Sequence, residues 1–330
     1  MEALFDLVSQ YGSISISGIC KNAGKTTVLN SLISDIPHSE LLALTSIGRD
    51  GESIDIVTGT EKPGIYIRKG SLFATAENLL SYCDVTKEIL DTTEISTPLG
   101  EVVIVRALSD GNIQLAGPSI INQLKRVSKL FYAHGADRVI IDGAASRKSL
   151  YTRMLTEATI LCTGASFSRN MDETIAETAH VCSLLMTPDI PELRKQILQK
   201  NLVERYVLIG GDNIILQDGA DIAAAIKDSK QADMLYTNGA ITDSILNPLI
   251  RSGLPKGFTF AVSDASKLLI SSDCLRRLRA AKAKLGVLDP INLAAITINP
   301  ISAYGTHYDG SEFKKRMTEA VPVPVINVRQ

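Results

Sequence analysis

Tryptophan is absent from the 330-residue chain, and all aromatic residues together make up only 5% of it. Proteins that bind single-stranded nucleic acid commonly stack the bases on aromatic side chains, so this composition argues against that class. The charge balance argues against nucleic acid in general, because 34 basic and 36 acidic residues leave a net charge of −2. A nearly neutral chain has no bulk electrostatic attraction for a polyanion or an anionic membrane.

Cysteine is also sparse, with five scattered copies and no Cys-x-x-Cys pair. This arrangement fits neither a disulfide framework nor a zinc site, and it is typical of a reducing compartment. No apolar run approaches the ~18 residues of a membrane span. The first residues include the acids Glu2 and Asp6 and lack the basic start of a signal peptide. We therefore predict a soluble cytoplasmic protein.

The most informative stretch lies near the amino terminus, between Ser13 and Ser31. It reads SISISGICKNAGKTTVLNS, which is an alternating strand-like run, a glycine-bracketed loop and a helix-compatible segment. The Gly-Lys-Thr-Thr sequence at positions 24–27 is typical of the end of a phosphate-binding loop. A glycine there lets successive backbone N–H groups point at one anion, and the positive end of the following helix adds to the attraction.

Each residue type in this loop has a predicted role. Lys25 places a compact positive charge between the β- and γ-phosphates of a nucleotide, and the Thr26 hydroxyl is a ligand for Mg²⁺. The residues predicted to bind the nucleotide are Gly18, Asn22, Ala23, Gly24, Lys25, Thr26 and Thr27. Gly18 stands six residues before Gly24, one residue farther out than in the common motif, which would require glycine at Ile19. A glycine-rich turn between a strand and a helix is the alternative interpretation.

A second half of the same site is predicted farther along the chain. Residues 139–141 are an apolar strand that ends in Asp142. An acid at the carboxyl end of a strand beside a phosphate loop commonly orders Mg²⁺, usually through water. We therefore assign Asp142 a catalytic and metal-binding role, although an aspartate that caps a turn would look the same in isolation.

The alternation of apolar runs and helical patterns predicts an α/β fold, with a mostly parallel sheet and helices on both of its faces. Residues 187–191 contain two prolines and are the best linker. We predict a phosphate-loop domain over residues 1–187 and a second α/β unit over residues 192–330, with one continuous sheet as the alternative. Residues 74–90 are predicted to be helical, and residues 97–100 are predicted to be the turn between two strands.

The densest run of charge extends from Arg276 to Lys284 and contains three arginines and two lysines. Its spacing is that of a helix surface, so a solvated helix face is the favoured interpretation. A surface that binds a partner or a phosphate group is the alternative.

The phosphate loop resembles a known family. The spacing of Gly18 and Gly24, followed by Lys25 and Thr26, is similar to the Gly-x5-Gly-Lys-Thr loops of dethiobiotin synthetase and the cobyric acid synthases. These enzymes belong to the SIMIBI class of P-loop NTPases. The resemblance implies a P-loop NTPase fold that binds a nucleotide and Mg²⁺. The chain has no Asn-Lys-x-Asp box for guanine, so we expect the nucleotide to be ATP.

The same resemblance implies two further site residues. Asp50 lies 25 residues after Lys25, a spacing similar to that of the switch-region acid in these NTPases, where it binds Mg²⁺ through water or orients the attacking nucleophile. Asn299 follows the apolar run 293–298 and matches an asparagine that contacts the adenine base. The alternatives are a solvated turn acid at position 50 and an Asn-Pro turn at position 299.

The stretch SGICKNAGKTTVLN also resembles the P-loop subunit that accompanies adenosylcobalamin-dependent lysine aminomutases, a proposed reactivase component. The two resemblances imply different functions: an ATP-dependent ligase or kinase acting on a small carboxylic acid, or an ATP hydrolase acting on a partner enzyme. The sequence contains a clear phosphate site and no convincing substrate site. We therefore favour a Mg-ATPase that works with a partner protein such as an aminomutase, and a homodimer is a further expectation.

Overall fold

The computed structural model describes residues 4–50, 64–143, 155–199, 204–217, 222–229 and 231–328, with the backbone alone described at 49–50 and 216–217. These residues form two compact units. The first comprises the described residues within Met1–Leu150, Met154–Val181 and Asn292–Gln330, and the second comprises those within Cys182–Ile291. Each unit combines a sheet with helices, which confirms the predicted α/β class.

The helices of the described chain, in order, are α1 (Leu4–Val8), α2 (Lys25–Asp35), α3 (Ile121–Ala133), α4 (Met171–Leu185), α5 (Glu192–Gln199), α6 (Ile222–Asp228), α7 (Asp243–Ser252), α8 (Ser272–Ala280) and α9 (Gly310–Ala320). The strands are β1 (Ser13–Gly18), β2 (Leu42–Ser46), β3 (Arg49–Asp50), β4 (Ile65–Ile67), β5 (Leu72–Ala76), β6 (Lys87–Thr97), β7 (Gly100–Ala107), β8 (Gly111–Ile113), β9 (Leu115–Ala116), β10 (Arg138–Asp142), β11 (Ala158–Gly164), β12 (Tyr206–Gly210), β13 (Asn213–Gln217), β14 (Ala232–Thr237), β15 (Ile241–Thr242), β16 (Thr259–Asp264), β17 (Leu268–Leu269), β18 (Lys284–Asp289), β19 (Leu293–Asn299) and β20 (Val325–Asn327). None of these helices combines the length and the apolar character needed to cross a membrane.

The main sheet of the first unit has the strand order β20-β19-β11-β1-β10-β2-β5-β7-β6. Neighbours from β20 to β5 are parallel, and only β5–β7 and β7–β6 are antiparallel. The prediction of a mostly parallel sheet is therefore confirmed for this unit. The turn predicted at residues 97–100 is also confirmed, because it joins β6 to β7.

The prediction of a helix over residues 74–90 is wrong. The chain there contains the end of β5, a short 3₁₀ turn at Glu77–Tyr82 and the start of β6. β5 pairs with β2 on one side and with β7 on the other. Pairing between strands that are distant in sequence overrides the local helical pattern, as it often does for short apolar runs.

Helices cover both faces of the main sheet. On one face Ile14, Ile16 and Ile140 pack with the apolar side of α2, and on the other face Val139 and Ile141 pack with α3. The α2 residues in contact with the sheet are fully buried, and burial of one such side chain contributes about 1.5–3 kcal/mol. Residues 28, 29, 32 and 33 of α2 are all at most 1% exposed. This apolar contact fixes the start of α2 at the edge of the sheet.

The end of the chain returns to the first unit. β19 pairs with β11 and β20 pairs with β19, so residues 292–328 complete the main sheet. The unit predicted over residues 192–330 therefore includes a segment, from residue 292 onward, that belongs to the first unit. The alternative of one continuous sheet applies to β19 and β20, which extend the main sheet. The pairing of β19 with β11 spans a whole intervening unit, and no local pattern in the sequence reports a contact of that range.

The second unit contains a sheet of order β13-β12-β14-β16-β18. Its strands β14, β16 and β18 are parallel, whereas β12 and β13 form an antiparallel hairpin. Phe260 and Val262 pack with α7 and α8 on one face, and Tyr236 and Ala261 pack with Leu198 of α5 on the other. Both faces of this smaller sheet are therefore covered as well.

Candidate functional site

The loop between β1 and α2 contains two residues in the left-handed backbone region. Asn22 has a φ of 58° and Gly24 has a φ of 96°. Glycine adopts this conformation without steric cost, and asparagine is among the side chains that tolerate it best. Left-handed residues between helical or turn residues are characteristic of concave backbone nests that bind anions. The nitrogen Nδ2 of Asn22 is also buried and has no hydrogen-bond partner among the described residues.

Helix α2 begins with its backbone donors uncapped. Its first internal hydrogen bond runs from Val28 N to Gly24 O, at 3.0 Å. The N–H groups of Lys25, Thr26 and Thr27 precede that bond, so the helix provides no acceptor for them. Gly24 at the cap position has no side chain that could accept from them. The positive end of the helix dipole lies here, and no side chain among the described residues caps it, an arrangement that favours an anion.

Lys25 is buried, with 9% of its surface exposed. Its side chain lies over the end of β1, because its Cδ is 3.4 Å from the position that a Cβ on Gly18 would take. Its ammonium makes no ion pair with a residue that the structure describes. A buried cation without a partner is unfavourable, so a bound anion at this point would compensate the charge.

Asp142 lies beside the loop, at the carboxyl end of β10. It is 1% exposed and is in register with Ile16 of β1 and Ser46 of β2. Its carbonyl oxygen accepts a hydrogen bond from Ile47 N at 2.9 Å. Parallel pairing thus brings this carboxylate to the same edge of the sheet as the β1–α2 loop, which is the edge where α/β proteins bind their ligands.

Two cysteines that the sequence analysis did not single out border the same site. Cys162 of β11 is in register with Gly18, and its carbonyl oxygen accepts from Ile19 N at 3.0 Å. Burial raises the pKa of Cys162 to about 12, while Lys25 lowers this pKa and Asp142 raises it. Burial likewise raises the pKa of Cys20 to about 11, against the opposing effect of Lys25. Both side chains are therefore neutral thiols at physiological pH and not nucleophilic thiolates.

Asn299 forms the opposite wall of the loop. The position that a Cβ on Gly24 would take is 3.3 Å from Asn299 Cβ and 3.6 Å from its Nδ2. The Oδ1 atom accepts a hydrogen bond from Ile301 N at 3.2 Å. The hydrogen bond of an Asn-Pro turn, the alternative interpretation of Asn299, is thus present, and the amide nitrogen lies toward the β1–α2 loop.

Gly164 is a second residue that the sequence analysis missed. It is in register with Asn299, and a Cβ there would lie only 2.4 Å from the Asn299 carbonyl oxygen. A side chain at this position would push β19 away from β11 and thereby move Asn299 away from the loop. The sequence signal was a glycine at the end of an apolar run, at the edge where ligands are expected.

A small pocket lies between the start of α2 and the last two strands of the main sheet. Its lining includes Ala23, Gly24, Thr27, Thr297, Asn299 and Val328. Thr26 and Thr27 are partly exposed in the first turn of α2. The predicted residues 18, 22–27, 142 and 299 therefore lie along one edge of the first unit.

Asp50 is described through its backbone only. It forms the two-residue strand β3, which pairs antiparallel with β9, and it is in register with Leu115. The residues that follow, 51–63, lie outside the described part of the chain, as do residues 144–154 after Asp142. The structure thus gives no side-chain position for Asp50 in the candidate site.

No protein-family model matches the chain, and no curated protein matches its sequence.

Proposed function

We propose that this chain is a nucleotide-binding P-loop protein, a Mg-dependent ATP hydrolase that acts with a partner protein. One observation carries the proposal: a left-handed loop, a helix start and a buried lysine meet at one point, and among the described residues no side chain caps the helix or pairs with the lysine. Each of these features attracts an anion, and a polyphosphate is the ligand that uses all three together. The carboxylate of Asp142 lies at the same edge of the sheet. A cation between this carboxylate and the polyphosphate would offset the repulsion of the two negative groups.

The loop residues have distinct tasks in this proposal. The backbone N–H groups at the start of α2 hold phosphate oxygens, and Lys25 neutralises charge between the β- and γ-phosphates. A dry site strengthens such contacts because water does not screen them. The burial of Lys25 therefore supports a role in stabilising charge that develops on the transferred phosphoryl group.

The donor groups fit Mg²⁺, which prefers oxygen ligands and keeps several waters. The Thr26 hydroxyl and the Asp142 carboxylate would hold it, directly or through water. When bound, Mg²⁺ neutralises charge on the β- and γ-phosphates. Among the described residues, no group of three or more histidine, cysteine or acidic side chains is placed to hold a metal alone. Coordination shared with the nucleotide is the arrangement usual for Mg²⁺.

The roles proposed for Asp50 and for a partner enzyme follow from the resemblances to dethiobiotin synthetase and to the aminomutase P-loop subunit. Asp50 would orient the attacking nucleophile or bind Mg²⁺ through water. The partner would be an enzyme of the aminomutase type, and the hydrolase would work as a reactivase or chaperone for it. A homodimer is the assembly proposed for the hydrolase itself.

We propose that Asn299 contributes to recognition of the adenine base. Its amide nitrogen lies against Gly24 and remains a donor, whereas its oxygen is already bonded to Ile301 N. Substitution of Asn299 with alanine should weaken ATP binding about 3- to 10-fold, the effect of losing one ordinary hydrogen bond, and should leave GTP binding unchanged. Calorimetric titration of both nucleotides measures this, with Asn292→Ala at the other end of β19 as the control. Unchanged affinity for both nucleotides would make Asn299 a turn residue only.

Hydrolysis of ATP, measured on the purified chain, tests the proposed function. The rate is compared for the chain alone, with candidate small carboxylic acids and with protein fractions of the source cell. We expect stimulation by a protein fraction and none by the acids. Stimulation by an acid, with transfer of phosphate to it, would establish the ligase or kinase alternative. A chain that neither binds nor hydrolyses ATP with Mg²⁺ present would refute both.

A further inference from the structure

Basic charge is concentrated in one part of the second unit. Residues 251–284 contain eight basic and two acidic residues, a net charge of +6, whereas the whole chain has a net charge of −2. The rest of the chain is therefore acidic, with a net charge of −8. This segment of 34 residues therefore has an excess of basic over acidic residues, in contrast to the rest of the chain.

The fold gathers five of these cations at one end of the unit. They stand at the ends of α7 and α8 and near the starts of β16 and β18, and we call them the basic face: Arg251, Lys256, Arg279, Lys282 and Lys284. Two backbone bonds join their loops, from Gly257 N to Lys282 O at 3.0 Å and from Lys284 N to Phe258 O at 2.8 Å. Lys284 is also in register with Thr259 across the β16–β18 pair. These contacts bring the segments that contain Lys256, Lys282 and Lys284 side by side.

All five side chains of the basic face are exposed, and none makes an ion pair within the described chain. This distinguishes them from the neighbouring Arg276 and Arg277, which both pair with Asp273 on α8. Like charges held close together without counter-charges repel each other. A charged partner surface would relieve that repulsion.

Basic residues near the carboxyl ends of helices are usually explained by their favourable interaction with the helix dipole. This explanation applies to only some residues of the basic face. Arg251 and Arg279 lie in the last turns of α7 and α8, where a cation interacts favourably with the helix dipole. Lys256, Lys282 and Lys284 lie outside both helices. Lys282 also has a φ of 57°, a left-handed conformation that favours glycine. Lys282 nevertheless belongs to the end of α8, because it follows the cap residue Ala281 and its N–H bonds to Arg279 O at 2.9 Å. Helix stability therefore does not account for Lys256 and Lys284.

We propose that the basic face is a docking surface for an acidic surface of a partner protein. A protein partner is favoured over a single-stranded nucleic acid because the phenylalanines of the segment, Phe258 and Phe260, are fully buried and offer no stacking surface. The inference does not depend on the nucleotide chemistry of the first unit. It states where on the chain a partner would bind and which charge it presents.

The test is a triple charge reversal, Lys256→Glu, Lys282→Glu and Lys284→Glu. The probe is fluorescein-labelled poly-L-glutamate, and its binding is followed by fluorescence anisotropy at low and at physiological salt. We expect the wild-type chain to bind the probe in a salt-dependent manner and the variant to bind at least about tenfold more weakly. Circular dichroism establishes that the variant is folded.

A matched control changes net charge by the same amount in the first unit. The control variant reverses three exposed lysines, Lys69, Lys129 and Lys315, and its affinity for the probe should change less than about twofold. Equal loss in both variants would refute the proposal, because the effect would then be one of total charge. So would failure of the wild type to bind the probe, or tighter binding of a duplex oligonucleotide that the basic-face variant loses. Mg-ATP affinity, measured on all three chains, reports separately on the phosphate site.

Discussion

Replacement of Lys25 with alanine is expected to abolish tight binding of Mg-ATP while leaving the fold intact. The ammonium is the only side-chain cation that the sequence assigns to the phosphates, and a hydrogen bond between charged groups is worth about 1.5–3 kcal/mol. Its loss corresponds to at least about a tenfold lower affinity, and more in a dry site. The fold should tolerate the change because the lysine has no ion-pair partner among the described residues, so its removal leaves no buried acid unpaired.

Isothermal titration calorimetry with Mg-ATP measures the effect, and thermal unfolding checks the fold. Lys21→Ala is the matched control, because Lys21 belongs to the same loop but is exposed. We expect the control to bind within about twofold of wild type. If Lys25→Ala binds Mg-ATP as tightly as the wild type does, the phosphate-loop assignment is wrong.

Substitution of Asp142 with asparagine should slow ATP hydrolysis by about 10²-fold or more. The change removes one negative charge and preserves the shape of the side chain. Because the charge acts mainly on the transition state through Mg²⁺, nucleotide binding should be affected less than turnover. The measurement pairs the hydrolysis rate at saturating Mg-ATP with the affinity from calorimetry.

Asp212→Asn, in the exposed hairpin turn of the second unit, controls for the chemical change from acid to amide. Its hydrolysis rate should equal that of the wild type. Near-normal hydrolysis by Asp142→Asn would transfer the role of the acid to another residue, and Asp50 is the first candidate.

The part of the candidate site formed by β1, α2 and the loop between them could be predicted from short-range patterns in the sequence. The alternation of residues 13–17, the glycines and the apolar spacing of α2 all act over a few residues, and the structure has β1 and α2 where these signals place them. The strand that ends in Asp142 was equally readable, because a continuous apolar run bounded by an acid is typical of a buried parallel strand. Parallel pairing then explains why the two segments share an edge.

The rest of the site depends on contacts that no local pattern encodes. The packing of Asn299 against Gly24 requires β19 to lie two strands from β1, and that order is set by the whole sheet. The burial of Lys25 is equally non-local, because the residue type alone predicts exposure. The helix predicted over 74–90 failed for the same reason, since β5 is stabilised by its partners β2 and β7.

The position of β19 in the main sheet bears on how the protein matures during synthesis. The ribosome produces the phosphate loop first and the strand that carries Asn299 only after every residue of the second unit. A nascent chain that stops before residue 292 has β1, β10 and β11 but lacks the wall against which Gly24 packs. Late closure of a long-range pair is slow, because the entropy of ordering the intervening chain comes before the contact. Under the proposed function, the wall of the nucleotide site that Asn299 forms would be complete only after β19 has been synthesised.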